Sequence, residues 1–236
     1  MRMNTNFAVA ACLAAMALPV AAKDANERMK EANTVLHELL RADDKGIPSE
    51  LLDRAHCAII IPGAKKGGFF IGAQYGRGFA ICRNSNHTGW GAPAAIKMEG
   101  GSIGAQIGVA ETDIFMLVMN DTGMRHLMED KFTLGADAGV AAGPLGRSSS
   151  AQTDAQMQAG ILSWSRSRGA FAGITLNGAT LRPDKDENEE LYGRAISNRD
   201  ILSGGTVRPP ASASGLIATL NQASHAEQGE ASRSRK

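Results

Sequence analysis

Apolar residues between positions 24 and 42 fall at Ala25, Met29, Ala32, Leu36 and Leu39. That three-and-four spacing draws one stripe down a helix, so an amphipathic N-terminal helix is predicted within residues 23–46, broken by Gly46. "IPSELLDRAH" restarts helix with Pro48 near the first turn, where a missing N–H costs nothing. After Ala58 the period changes. "AIII", "GFFIGAQY", "GFAICR", "PAAIKM", "SIGAQIGV" and "DIFMLVM" are short apolar or alternating runs separated by Gly, Pro or Asn clusters. They read as strands joined by tight turns. "NDTGMRHLMEDKF" reads as a short inserted helix with Asp121 or Thr122 as N-cap, and "TLGADAGVAAG", "QAGILSWSRS" and "GAFAGITLNGATL" return to strand-like alternation.

An acidic run, "DKDENEE" at 184–190, precedes "LYGRAISNRDILSG", which reads as two helical turns closing the domain. Beyond Gly205 the composition shifts to Pro, Ser, Ala and Gln. Residues 206–236 are expected to form a polar, mobile tail with one short helix around Leu216–Leu220. The strands follow one another without helices long enough for crossovers, so antiparallel pairing should dominate and the class is α+β.

At 236 residues and 43% apolar content the chain carries one sizeable core. Its first 22 residues place Arg2 ahead of an apolar run from Phe7 to Val20, with Val20 and Ala22 at the small-residue positions of a cleavage site. The run is shorter than the ~20 residues a spanning helix needs. A signal peptide over 1–22 is therefore expected, giving a periplasmic or secreted protein. Lipidation at Cys12 in "VAAC" is the weaker rival, because it would leave only a short apolar stretch ahead of the cut. Removing the leader takes away one base and leaves 24 residues of each sign. No global basic field recruits nucleic acid.

The mature chain keeps Cys57 and Cys82, with no CxxC and no zinc-like histidine spacing, so no metal site or cofactor is expected. A disulfide between them and two buried free thiols both stand as readings. "GGSIG" matches G-x-S-x-G with Ser102 as would-be nucleophile, but the residues after it lack the helical stripe that a nucleophile elbow requires. "DKDENEE" lacks the Gly and Glu that a calcium loop needs at its sixth and twelfth positions, and reads as a solvated acidic turn. The histidines read as surface or packing residues, and "GAKKGG" lacks the end of a phosphate loop. There remain Lys65 and Lys66, read as the tip of a Gly-rich turn and flanked by Phe69 and Phe70. Two accounts apply: a hairpin tip kept soluble by lysines, or a loop that touches anionic headgroups, each lysine contributing about 1 kcal/mol.

Long ordered phrases then carry a resemblance. "IPSELLDRAHCAIIIPGAKKGGFFIGAQYGRG", "WGAPAAIKMEGGSIGAQIGVAETDIFMLVMND", "TLGADAGVAAGPLGR", "ILSWSRSRGAFAGITLNGATL" and "NEELYGRAISNRDILSG" resemble the SYLF domain over about Ile47–Gly204. That is a lipid-binding family whose eukaryotic members join membranes to actin. The resemblance implies a domain over 23–205 that binds phospholipid without catalysis, through the N-terminal helix and basic residues that by position are Lys65, Lys66, Arg77 and Arg83. With the export signal, the expected setting is the bacterial envelope and the expected partner an anionic membrane. The alternative is a structural or protein-interaction module that binds an envelope protein through its acidic turn and tail. The resemblance also gives the recurring glycines a role: they would let strands bulge or approach closely, curving the sheet around either an apolar groove or a barrel-like core.

Overall fold

The computed structural model describes residues 24–41, 46–69, 71–84, 89–103, 108–145, 159–167, 170–204 and 206–233. The signal-peptide reading, Cys12 and Phe70 lie outside them. The N-terminal helix is present as α1 (Ala25–Leu40), with Asp24 as N-cap accepting from the Glu27 amide. Helix α2 (Ser49–Arg54) follows, with Pro48 at its N-cap. Four long strands come next: β1 (Cys57–Phe69), β2 (Ile71–Arg83), β3 (Trp90–Ile103) and β4 (Gly108–Val118). Helix α3 (Asp121–Leu127) is capped by Asn120, whose side chain accepts from the Gly123 amide, rather than by Asp121 or Thr122. Short strands β5 (Phe132–Thr133), β6 (Val140–Ala142), β7 (Ile161–Ser167), β8 (Ala170–Gly173) and β9 (Thr180–Pro183) precede helices α4 (Lys185–Tyr192) and α5 (Asn198–Leu202). A 3₁₀ turn at Ala211–Ala213 leads into α6 (Ser214–Arg233).

The sheet runs in the order β5-β9-β3-β2-β1-β4-β7-β6, with β8 on β7. Its named strand pairs are antiparallel except β6 with β7. It is curled into a half-barrel, as the glycine pattern led one to expect. The cause is local. Between Ile60 and Lys65 the pairing with β2 slips, and between Ile61 and Ala64 so does the pairing with β4. One extra residue is thus accommodated in β1 at Pro62-Gly63, where Gly63 adopts φ +58°, the left-handed bulge conformation that glycine takes without strain.

Alternation along the strands loads both faces. Ala58, Ile60, Phe79, Ile81, Phe115 and Leu117 pack under α1, α2 and α6, a side termed the outer face. Cys57, Ile59, Ile61, Ala80, Met98 and Met116 point to the other, inner face, closed by Phe132, Leu134, Leu181 and Leu202. Cys57 and Cys82 are register partners on β1 and β2 and form a disulfide. Of the two readings of these cysteines, the structure holds the bridge.

The C-terminal segment departs from expectation. Ala213, Leu216 and Leu220 are fully buried against α1, α2 and the sheet, and Trp90 Nε1 donates to Ser224 Oγ at 3.2 Å. Thr219 Oγ1 donates to Asn33 and lies 3.0 Å from His37 Nε2. Residues 206–224 therefore belong to the core rather than to a mobile tail, because burying three apolar residues on one face outweighs the polar composition around them. The acidic run also differs. It is helix α4, with Asp184 as its N-cap accepting from the Glu187 amide, and both carboxylates are buried.

Candidate functional site

Along β2 the outer face is read out in sequence. Ile81 and Phe79 are buried, Arg77 stands at the edge of the helical cover, and Tyr75 beyond it is 45% exposed. The distal ends of β1–β4, with exposed Lys65, Ala73, Gly101 and Glu111, thus extend past the helices. Lys65 and Lys66 lie in this region, but within β1 and not at a turn: Lys65 pairs with Tyr75 and Glu111, Lys66 with Gln74 and Ala110. The strand continues to Phe69, whose register partner is Ile71. The extra residue of the bulge sets the alternation, so Ala64 and Lys66 share the inner face while Lys65 shares the outer face with Tyr75.

The structure does not bring the other two candidates to this end. Arg77 Nε donates to Asp184 Oδ2 at 2.5 Å, and its Nη2 lies 3.0 Å from Glu187 Oε2. Arg83 is buried at the opposite end, donating to the carbonyls of Leu52, Asp53 and Ala55, with its guanidinium 4.6 Å from the centre of the Trp90 ring. It satisfies the last carbonyls of α2. Neither guanidinium is presented to a partner in this conformation. The same holds for the apolar stripe of α1, whose Met29, Ala32, Leu36 and Leu39 are fully buried. That stripe has no apolar area left for a membrane while α1 stays docked.

What sequence reading missed is the ion-pair cluster that docks α1. Glu187 pairs with Arg28 of α1 and with Arg77, while Asp184 takes Arg77 and Lys97 Nζ, the latter at 3.1 Å. Burial acts to raise the Asp184 pKa, but hydrogen bonds from Arg77 and Lys97 outweigh it and hold the carboxyl below its ordinary value. At Glu187 burial wins over Arg28 and Arg77, and the carboxyl is pushed up. Desolvation works to lower the Arg77 guanidinium, yet Asp184 and Glu187 raise it above its ordinary value. Beside the cluster, Asn188 Oδ1 accepts from the Ala95 amide and Asn198 Nδ2 donates to the Ala95 carbonyl, satisfying β3 where β9 ends. The missed signal was Asp184-x-x-Glu187, the spacing of a capped helix start.

Ser102 occupies extended β3, with its backbone paired to Gly72. The next described element is strand β4 and not the helix that a nucleophile elbow needs, so the serine-hydrolase reading gains no support among the described residues. Two cavities bear on the site. One of 710 Å³ lies among α3, α4 and α5 and sets Lys185 and Arg199 against Glu129, Asp130, Glu189 and Asp200, so its lining is acidic on balance and does not suit an anionic headgroup. The other, of 290 Å³, opens on the inner face at the distal end, between Lys66, Gln74, Thr112 and Ser165 of the sheet and the 174–177 segment.

Fold and site define an α+β module built on a curled antiparallel sheet, with one end that no helix among the described residues covers and that carries lysines on both faces. A family model described as "Ysc84: Las17-binding protein actin regulator" matches residues 99–223. Protein YSC84 of Saccharomyces cerevisiae is 33% identical over 190 residues, covering 77% of this chain and 40% of that protein. SH3 domain-containing YSC84-like protein 1 of Homo sapiens is 32% identical over 186 residues, covering 76% and 54%. SH3 domain-containing protein PJ696.02 of Schizosaccharomyces pombe is 34% identical over 178 residues, covering 74% and 41%. The chain belongs to the Ysc84 family, the SYLF family to which its sequence phrases pointed. The matched stretch spans about half or less of these relatives' own lengths.

Proposed function

We propose that this protein is a non-catalytic phospholipid-binding protein of the bacterial envelope that associates peripherally with anionic membranes through the distal end of its sheet. The observation that carries the reading is the pairing of a sheet end that no helix among the described residues covers with Lys65 and Lys66 on opposite faces and exposed Tyr75 beside Lys65. Two lysines near an anionic surface contribute about 1 kcal/mol each, and an amphipathic tyrosine suits the headgroup layer. The sequence Phe69-Phe70-Ile71 adds apolar residues next along the chain. The Cys57–Cys82 bridge suits an oxidising compartment and so agrees with export.

The test is co-sedimentation of residues 23–236 with phosphatidylglycerol or phosphatidylcholine vesicles at low and high salt. Pelleting with the anionic lipid alone is expected. It should weaken several-fold in high salt, because exposed charges are screened beyond about 10 Å at 0.1 M, and again in the Lys65→Glu/Lys66→Glu double variant. Pelleting indifferent to both changes would remove the lysines from the mechanism.

A protein-interaction module is the second reading, favoured by the family description and by relatives named for binding Las17. Under it the double variant leaves partner capture intact. Deleting residues 206–236 is no clean probe of that reading, since Leu216 and Leu220 belong to the core.

A further inference from the structure

Several cations on the outer face are matched, while Lys65 on that face is exposed. Arg77 and Lys97 meet Asp184 and Glu187, Arg166 meets Asp113 and Glu38, and Arg182 meets Glu99. Lys66 is different. It is half-buried on the inner face and has no carboxylate within ion-pair distance among the described residues. Its register partner Gln74 lies beside it on β2, Thr112 is the partner of neighbouring Ala64 on β4, and Ser165 is the partner of inward Ile114 on β7. Asn177 closes the opposite wall, and Lys65 completes the lining. The 290 Å³ cavity so formed contains no Asp or Glu in its lining. The side chains of Gln74, Thr112, Ser165 and Asn177 have no hydrogen-bond partner among the described residues.

An ammonium with no carboxylate in reach among the described residues is open to pairing with an anion. Two amides and two hydroxyls around that ammonium supply donors for a polyoxygen anion. The volume sits at the lower end of ligand cavities, which run from roughly 300 Å³ upward, so it holds a headgroup and not a whole lipid. We propose that the inner mouth of the half-barrel is a phosphate-binding site, with Lys66 as counter-ion and Gln74, Thr112, Ser165 and Asn177 as hydrogen-bond partners. On the membrane reading, on which this assignment of the ligand rests, the phosphate is that of one phospholipid headgroup drawn into the sheet's open end. A soluble phosphate monoester carries the same chemistry.

The test follows backbone amide shifts of the disulfide-bonded protein in two arms, glycerol 3-phosphate alone and phosphatidylglycerol bicelles, at matched ionic strength. Saturable shifts at Lys66, Gln74, Thr112, Ser165 and Asn177 are expected in both arms. Lys66→Met should weaken glycerol 3-phosphate binding at least tenfold, and the remote exposed Lys131→Met should leave it within twofold. Thr112→Val, which replaces one hydroxyl by a methyl group, should weaken it about threefold and covers the case in which Lys66→Met does not fold. Vesicle pelleting without shifts at these five residues would overturn the inner site and leave peripheral binding standing. Lys66-dependent glycerol 3-phosphate binding without pelleting would support the site and assign it a soluble ligand. Equal losses in Lys66→Met and Lys131→Met would overturn it.

Discussion

Gly78 of β2 lies so close to β1 that a Cβ added there would sit 2.0 Å from the Ile60 carbonyl oxygen and 2.7 Å from the Ile61 Cα. These are backbone atoms beside the β1 bulge, and they cannot swing aside. Gly78→Ala should therefore destabilise the fold by on the order of 3 kcal/mol, at the upper end of overpacking costs. Urea denaturation checks this, and a loss well under 1 kcal/mol would mean that β1 and β2 separate easily. Asp184 offers a second test at this scale. Its folded pKa is depressed, so the stability it confers is present above the unfolded value of about 3.9 and is lost as pH falls through the lower folded value. Glu187 runs the other way, its raised pKa making ionisation unfavourable in the fold as pH rises through it. Asp184→Asn should cost on the order of 3 kcal/mol at pH 7, as expected for a broken buried ion pair. The gap to wild type should close as pH falls below about 4. A gap constant from pH 7 to pH 3 would show that charge pairing is not what Asp184 supplies.

At the scale of elements, α6 separates composition from pattern. Counted by residue type, 206–236 is polar. Counted by period, Ala213, Leu216, Leu220 and Ser224 keep a three-and-four spacing and form the buried face. Leu220→Ala should cost roughly 2–5 kcal/mol, the range for truncating a fully buried leucine. Thermal denaturation without any shift would return the segment to the status of a tail. The acidic run misled for a related reason. Seven residues with five acids resemble a solvated turn until Asp184-x-x-Glu187 is seen as a helix start whose two carboxylates face Arg28, Arg77 and Lys97 across 87 to 159 positions of chain. The α1 stripe, the restart at Pro48, the long strands and the glycine-driven curvature were legible, because each depends on neighbours within a few residues. Strand order was not legible: β4 pairs with β1 rather than with β3, which precedes it, and only long-range packing decides that. At the candidate site, Lys65, Lys66 and their strand could be read. That the bulge sends them to opposite faces, and that Arg77 and Arg83 are engaged within the fold, could not.

For the whole molecule, the distribution of cover assigns the roles. Helices α1, α2 and α6 occupy the outer face at one end, the ion-pair cluster marks where that cover stops, and the distal sheet end, proposed above as the contact surface, extends beyond it. Binding by an exposed sheet end leaves α1 docked, whereas binding by the α1 stripe requires the Arg28–Glu187 pair to break. The most direct measurement places a fluorophore where contact is claimed. Tyr75→Trp, compared with wild type for the signals of buried Trp90 and Trp164, is titrated with phosphatidylglycerol vesicles carrying brominated acyl chains. The account predicts that the added emission at position 75 is quenched on binding while the wild-type signal is unchanged. Vesicle-bound protein whose added emission is not quenched would contradict it.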